Sequence, residues 1–145
     1  MSDSLSSFEW IQFLDLAKDL HHSTTEDSPL AEAKYRTVIG RAYYAVFNVA
    51  KEYLESQGIR LPRGSSAHEE VRNHFDNQNF STVADNLDNL RKLRNHADYK
   101  NKPGKTIDWK KQSESAIEVA NEIVDAVKAI KLLDKKKKPI LKPKK

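Results

Sequence analysis

Cysteine is absent from the 145 residues of this chain, and glycine (4) and proline (5) are scarce. Without cysteine there is no disulfide framework, no thiolate metal site and no thiol nucleophile, so thiol enzymes are excluded. The shortage of turn-forming residues argues against a β-sandwich or barrel, which joins many short strands by turns. With 38% hydrophobic and 32% charged residues, the chain can still build one core, and its length suits a single domain.

Long hydrophobic runs are also missing from the sequence. No stretch approaches the roughly 18 apolar residues of a membrane span. The first ten residues, MSDSLSSFEW, lack the basic start and the apolar run of a signal peptide. The sequence therefore predicts a soluble, cytoplasmic protein without a membrane partner.

Basic residues outnumber acidic ones, but the excess is confined to the C-terminal end. The net charge of +4 includes seven Lys in the last eleven residues, KKKKPILKPKK, which hold no acid. Residues 1–134 carry 18 basic and 21 acidic side chains, a net charge of −3. We predict that residues 1–134 form the folded domain, which is not basic over its whole surface. Residues 135–145 are predicted to be a disordered, Lys-rich tail.

Apolar residues recur at helical spacing in five segments. The predicted helices span roughly residues 6–21, 29–58, 66–75, 81–99 and 108–134. Ser6 and Glu9 have the spacing of a capping box, and Ser28 followed by Pro29 is typical of a helix start. The second helix has too wide an apolar stripe for a surface helix, so we expect it at the centre. The predicted fold is all-α, a four-helix bundle with an additional short helix.

Glycine-based nucleotide motifs and the usual metal motif are lacking as well. The sequence contains no GxxxxGK[ST], GxGxxG or GxSxG, and none of its five His stands in an HExxH motif. We therefore predict neither a cofactor nor a metal site.

The stretch LRKLRNHADY, residues 90–99, gathers cationic, imidazole, carboxylate and phenol groups at the end of the fourth helix. Arg94 falls inside the apolar stripe of that helix, which leaves two interpretations open. In one, Arg94 is a buried strut paired with Asp98 or with an acid of another helix, because an unpaired buried guanidinium is costly. In the other, it points into a cleft or subunit interface and accepts a phosphate.

His96 is expected on the flank of the same helix, close to two arginines. Imidazole groups titrate near neutrality and move protons, and a guanidinium stabilises the charge of a phosphorane. Because the 2′-hydroxyl of RNA is a built-in nucleophile, these residue types suffice for metal-free cleavage of the RNA backbone. The alternative interpretation of His96 is an ordinary surface histidine.

The chain contains three segments that are informative in combination: GRAYYAVFNVAKEYLESQG, SSAHEEVRNHF and LRKLRNHADY. Together they are similar to the HEPN domain family of small α-helical proteins, over roughly residues 8–132. The resemblance implies a four-helix bundle with a short extra helix, dimerisation through two copies of one helix, and often a metal-independent ribonuclease. Many relatives are toxins or antiphage effectors, commonly beside a nucleotidyltransferase, here the candidate antitoxin partner.

The catalytic signature of that family is Arg, four to six residues, then His, often with a polar residue directly after the Arg. Arg91 and His96 have that spacing, whereas the polar residue Asn95 follows Arg94 instead. The resemblance thus implies Arg91, Arg94 and His96 as catalytic residues. Residues five apart on a regular helix point about 140° apart. Cooperation of Arg91 with His96 therefore requires a helix irregularity or a second subunit.

Further residues are candidates for contact with nucleic acid. The Lys-rich tail has two interpretations, a salt-sensitive attraction to RNA through counterion release or a merely solubilising end. The candidate RNA-binding residues are Asn95, Tyr99, Lys135, Lys136, Lys137 and Lys138.

Three hypotheses follow for the function. The first is a metal-independent endoribonuclease that cuts single-stranded RNA, with Arg91 or Arg94 holding the phosphate and His96 transferring the proton. It requires a homodimer, which the wide apolar stripes of the second and fifth helices also favour. The second is a non-catalytic module of the same fold that binds RNA, a nucleotide or a partner protein. The third is a structural adaptor.

Overall fold

The structure, a computed structural model, describes residues 9–99 and 107–141. Within these ranges the chain forms helices and no strand. The helices are α1 (Ile11–Ser23), α2 (Ala31–Ser56), α3 (Ala67–Asn77), α4 (Ser81–Tyr99) and α5 (Trp109–Leu141), with a 3₁₀ turn at Gly64–Ser66. The predicted all-α fold, a four-helix bundle with α3 as the additional short helix, is confirmed. None of the described helices has an apolar stretch of the length that a membrane crossing requires.

Helix α2 lies at the centre of the bundle, as its wide apolar stripe predicts. It packs against α1, α4 and α5 and also touches α3. Its buried residues include Val38, Ile39, Ala42, Val46, Ala50 and Leu54. Because the chain covers this stripe with its own helices, the width of the stripe does not argue for a second copy. The homodimer stays a prediction that needs other support.

The short helix α3 is fixed to the bundle by its apolar face. Val71 and Phe75 are fully buried, and the Phe75 ring lies 5.9 Å from that of Tyr53 on α2. Complete burial of such side chains contributes about 1.5–3 kcal/mol each. This packing holds α3 against α2 and α4, and it sets the position of the polar residues at the start of α3.

Hydrogen bonds between distant residues fasten α5 at two places, one near its start and one near residue 134. Near its start, Nδ1 of His21 lies 2.7 Å from the hydroxyl of Ser113. Near residue 134, the hydroxyl of Tyr53 donates to Asp134 at 2.5 Å. The orientation of α5 is therefore set along most of the bundle.

Two predicted boundaries differ from the structure. Helix α1 begins at Ile11, and the predicted cap Ser6 lies outside the described residues. Helix α5 continues to Leu141, past the predicted end near Asp134, so residues 135–141 are helical where a disordered tail is predicted. Lysine is a good helix former, which favours continuation of the helix over the Lys-rich segment. Residues 142–145 lie outside the described part, and the domain boundary at residue 134 stays a prediction.

Candidate active site

The predicted catalytic residues share helix α4 but lie on two different flanks of it. Arg91 lies on the side of α4 near His68 of α3 and Tyr43 of α2, since its charge acts to lower the pKa of both residues. His96 lies towards α5, where its ring and that of Trp109 meet edge to face with 5.3 Å between the ring centroids. This agrees with the separation of about 140° between residues five apart. A single chain therefore does not bring Arg91 and His96 together.

Trp109 joins three helices on the His96 flank. The guanidinium carbon of Arg36, on α2, lies 4.7 Å from the centre of the Trp109 ring. Nε of Arg36 donates to the backbone oxygen of Ala97 at 2.6 Å. These contacts hold the end of α4, and His96 with it, against the start of α5. A groove of about 490 Å³ opens beside them, lined by Glu32, Ala33, Arg36, Thr37, Ala97 and Asp98.

Arg94 is held by an aromatic ring rather than by hydrogen bonds. Its guanidinium carbon lies 5.0 Å from the centre of the Tyr43 ring on α2. Nη1 stands 3.8 Å from Oδ2 of Asp98, beyond hydrogen-bond distance, and the buried Nε has no hydrogen-bond partner within the described ranges. The side chain is 28% exposed. Arg94 thus faces Asp98, as expected of a buried strut. It also reaches solvent at the edge of the bundle, as expected of a residue that accepts a phosphate.

Arg91 is half-buried and stands three residues before Arg94 on the same helix. Residues with this spacing are neighbours on a helix surface. Arg91 makes neither a hydrogen bond nor an ion pair with any described residue. The two guanidinium groups therefore keep donors that the described chain does not use.

A chain of hydrogen bonds runs beside these arginines. The hydroxyl of Tyr43 lies 2.7 Å from Nδ1 of His68, whose Nε2 lies 3.0 Å from Oδ1 of Asp88. Nε of Arg72 donates to the second oxygen of Asp88 at 2.6 Å. Tyr43 and His68 are only 8% and 7% exposed. We call Asp88, His68 and Tyr43 the polar chain.

The electrostatics assign a donor and an acceptor to each hydrogen bond of the polar chain. Burial lowers the pKa of His68, although the hydrogen bond to Asp88 acts the other way. A neutral His68 accepts a hydrogen bond from the Tyr43 hydroxyl at Nδ1 and donates one from Nε2 to Asp88. Burial raises the pKa of Tyr43 to about 12, so its hydroxyl keeps its proton. Burial also acts to raise the pKa of Asp88, but hydrogen bonds from His68 and Arg72 outweigh it and lower that pKa.

Sequence reasoning missed the polar chain because its members are far apart along the sequence. Tyr43 and His68 are 25 positions apart, and His68 and Asp88 are 20 apart. One signal was nevertheless present. His68, Val71 and Phe75 have the spacing of one helix face, and a histidine on an apolar face needs a buried hydrogen-bond partner.

The remaining predicted residues are not assembled into one surface. Asn95 is half-buried, and Tyr99, the last residue of α4, is 74% exposed. Lys135 is exposed, but it follows Trp109 by about 39 Å along α5, at 1.5 Å per residue. The side chains of Lys136, Lys137 and Lys138 lie outside the described residues. In one chain, the start of the Lys-rich segment is thus remote from His96.

This arrangement suits anion binding by Arg91 and Arg94. His96, the candidate for proton transfer, lies on the other flank of α4. An aromatic ring under a guanidinium, with free donors beside it, fits the planar geometry by which arginine binds phosphate. In the described part of the chain, no three His, Asp or Glu side chains are grouped so as to hold a metal ion.

Most of the helical bundle matches one family model, the HEPN domain, over residues 13–130. An uncharacterized protein of Methanocaldococcus jannaschii is 36% identical over 86 residues, which cover 47% of this chain and 49% of that protein. The chain thus spans about half the length of the curated relative that it matches. No solved structure matches the chain.

Proposed function

Because the chain belongs to the HEPN domain family, we propose that it is a metal-independent endoribonuclease that cuts single-stranded RNA as a homodimer. The observation that carries this proposal is the pair Arg91 and Arg94, neighbours on α4 whose guanidinium groups make no hydrogen bond with the described residues. Such groups bind phosphate through several donors at once. RNA is the substrate whose own 2′-hydroxyl then supplies the nucleophile.

In the proposed reaction, the 2′-oxygen attacks the adjacent phosphorus and the bond to the 5′-oxygen breaks. Arg91 and Arg94 stabilise the charge that develops on the phosphate oxygens. His96 accepts the proton of the 2′-hydroxyl, and the imidazolium so formed gives a proton to the departing 5′-oxygen. The products are a 2′,3′-cyclic phosphate and a 5′-hydroxyl. No step uses a metal ion.

The separation of the two flanks is the reason for proposing a homodimer. Since Arg91 and His96 lie on opposite flanks of α4, they meet at one phosphate only if each comes from a different copy. Two α4 helices related by a twofold axis place His96 of one copy near the arginines of the other. The proposal thus makes the second copy part of the active site.

A second candidate function is a non-catalytic module that binds RNA, a nucleotide or a partner protein. The contact between His96 and Trp109 favours it, because the His96 ring is engaged by the protein itself. A nucleotidyltransferase partner and a role as toxin or in antiphage defence belong to either candidate. The identity of the neighbouring gene, and co-purification of its product with this protein, test these assignments.

The deciding experiment mixes two inactive variants. Purified wild-type protein is expected to cut a labelled single-stranded RNA equally well with and without EDTA. Arg91→Ala and His96→Gln are each inactive, but mixed dimers hold one intact site, which restores up to about a quarter of the activity. Mixing that restores nothing contradicts the composite site. If the wild-type protein binds RNA without cutting it, the ribonuclease proposal is rejected in favour of the binding module.

A further inference from the structure

The polar chain ends at the ring on which Arg94 lies. No described group fixes the Arg94 guanidinium by a hydrogen bond, since Nε lacks a partner and Nη1 stands 3.8 Å from Asp98. The position of the guanidinium therefore depends on the position of the Tyr43 ring.

Two contacts hold that ring, and a third holds its neighbours together. Its hydroxyl is bonded to His68 at 2.7 Å. Phe47 stacks on Tyr43 with 5.7 Å between centroids and 23° between planes, and on His68 with 6.2 Å and 19°. The hydrogen bond fixes the direction of the ring and the stacking fixes its plane. Loss of the hydroxyl removes the directional contact and leaves the stack in place.

The polar chain also keeps Asp88 away from Arg91. Asp88 precedes Arg91 by three residues, a spacing at which opposite charges on a helix pair readily. Its oxygens instead accept hydrogen bonds from His68 and Arg72, one each. The donors of Arg91 consequently stay available for an anion from outside the described chain.

We propose that Asp88, His68 and Tyr43 are positioning residues that aim Arg94 and leave Arg91 unpaired, so that both guanidinium groups meet one RNA phosphate. This inference rests on the proposed function, which assigns the two arginines to the phosphate. Buried as they are, Tyr43 and His68 act through Arg94 and do not touch RNA themselves. Donors aimed before the reaction stabilise developing charge without rearrangement.

The test compares two buried tyrosines of α2. Tyr43→Phe keeps the ring under Arg94 and removes only the hydroxyl. Tyr53→Phe is the matched control, because it removes a buried hydroxyl that donates to Asp134 and lies under no arginine in the described structure. We expect Tyr43→Phe to lower kcat on single-stranded RNA by about 10- to 100-fold, with KM near the wild-type value. Tyr53→Phe is expected to keep the wild-type kcat.

A second measurement reports on Arg94 directly. Its buried Nε–H gives a nuclear magnetic resonance signal in the full-length protein that Arg94→Lys identifies by its loss. We expect Tyr43→Phe and His68→Gln to shift this signal and to speed its exchange with water. Tyr53→Phe is expected to leave it in place. An unchanged Arg94 signal in Tyr43→Phe overturns the proposal, as does an equal loss of kcat in both tyrosine variants.

This inference fails separately from the proposed function. If wild-type protein cuts no RNA, the ribonuclease proposal fails, while the Arg94 signal still decides whether the polar chain positions the guanidinium. In that case the dissociation constant for a single-stranded RNA replaces kcat. Tyr43→Phe must then weaken binding more than Tyr53→Phe does, and equal binding overturns the inference.

Discussion

The two flanks of helix α4 are held in place by different kinds of contact. On the α3 flank, Asp88 accepts two hydrogen bonds, at 3.0 and 2.6 Å, and its side chain is 31% exposed. On the α5 flank, the rings of His96 and Trp109 meet edge to face, and the hydrogen bond beside them runs from Nε of Arg36 to a backbone oxygen of α4, that of Ala97. Hydrogen bonds depend on direction and chemical type, whereas ring contacts depend mainly on shape. A polar substitution is therefore expected to disturb the α3 flank through lost bonds, and the α5 flank chiefly through lost packing.

The largest effect is expected on the α5 flank, from His96→Gln. Loss of the imidazole removes proton transfer, so the rate of RNA cleavage should fall by about 10²–10⁴-fold. The helical signal and the Tm should stay near wild type, since the ring contact with Trp109 is replaced by another side chain of moderate size. His22→Gln, at an exposed histidine of α1, is the control. Equal cleavage by both variants would remove His96 from the reaction.

Arg91→Ala tests the α3 flank with a smaller expected effect. Removal of one donor that stabilises developing charge should lower kcat by about 10²–10³-fold. Lys92→Ala is the matched control, because it removes one positive charge from the adjacent, exposed position. Single-turnover cleavage of a labelled RNA measures both variants. If the two substitutions slow cleavage equally, only the general positive charge of α4 matters.

A third prediction compares both flanks of α4 with the distant Lys-rich end of the chain. Deletion of residues 135–145 should weaken RNA binding by about tenfold at low salt and flatten its salt dependence, since several phosphate contacts vanish together. The cleavage rate at saturating RNA should not change, because Lys135 is remote from His96. Replacement of the seven Lys by Ser separates charge from length. Unchanged affinity and salt slope in the deletion would exclude the tail from RNA binding.

Acid should weaken the fold through the α3 flank. The groups that face His68 are Tyr43, Asp88, Arg91 and Arg72. Because burial lowers the pKa of His68 in the folded state, the unfolded chain binds a proton more readily. The free energy of unfolding should therefore fall as the pH drops from about 6.5 towards the lowered pKa. Urea unfolding on both sides of this range measures the change.

Histidine variants separate the sources of that acid sensitivity. Burial also lowers the pKa of His21, so His68→Gln should reduce the pH dependence without abolishing it. A pH dependence that is identical in wild type and His68→Gln would mean that His68 does not contribute.

The smallest effect is expected where α2 approaches α4 between the flanks. A Cβ atom at Gly40 would stand 3.7 Å from Oδ1 of Asp98, an ordinary contact. Gly40→Ala should thus raise the free energy of unfolding by about 0.5–1 kcal/mol, as in other helix interiors. Gly58→Ala is the opposite case, since its φ of +86° disfavours any side chain and stability should fall. Thermal unfolding that shows destabilisation by Gly40→Ala would reveal a tighter contact with α4.

Helical periodicity predicted the parts of the molecule that one helix determines by itself. The predicted range 81–99 is confirmed by α4 (Ser81–Tyr99), and the wide stripe of α2 correctly placed that helix at the centre. The same periodicity placed His96 away from the apolar stripe. The polar chain could not be predicted from the sequence, because it depends on how α3 docks between α2 and α4. The end of α5 was missed since lysines look like a tail in composition but favour a helix in propensity.

The place of α5 in the chain bears on how the protein is made. Its buried residues Ala116, Ala120, Ile123 and Val127 complete the core, yet the ribosome adds them after the other four helices. At about 5–20 residues per second, the 33 residues of α5 take roughly 2–7 s to synthesise. During that interval the part of the α2 surface that α5 covers stays exposed, and exposed apolar surface of this kind is prone to aggregation. Hydrophobic collapse in microseconds then closes the bundle once α5 emerges.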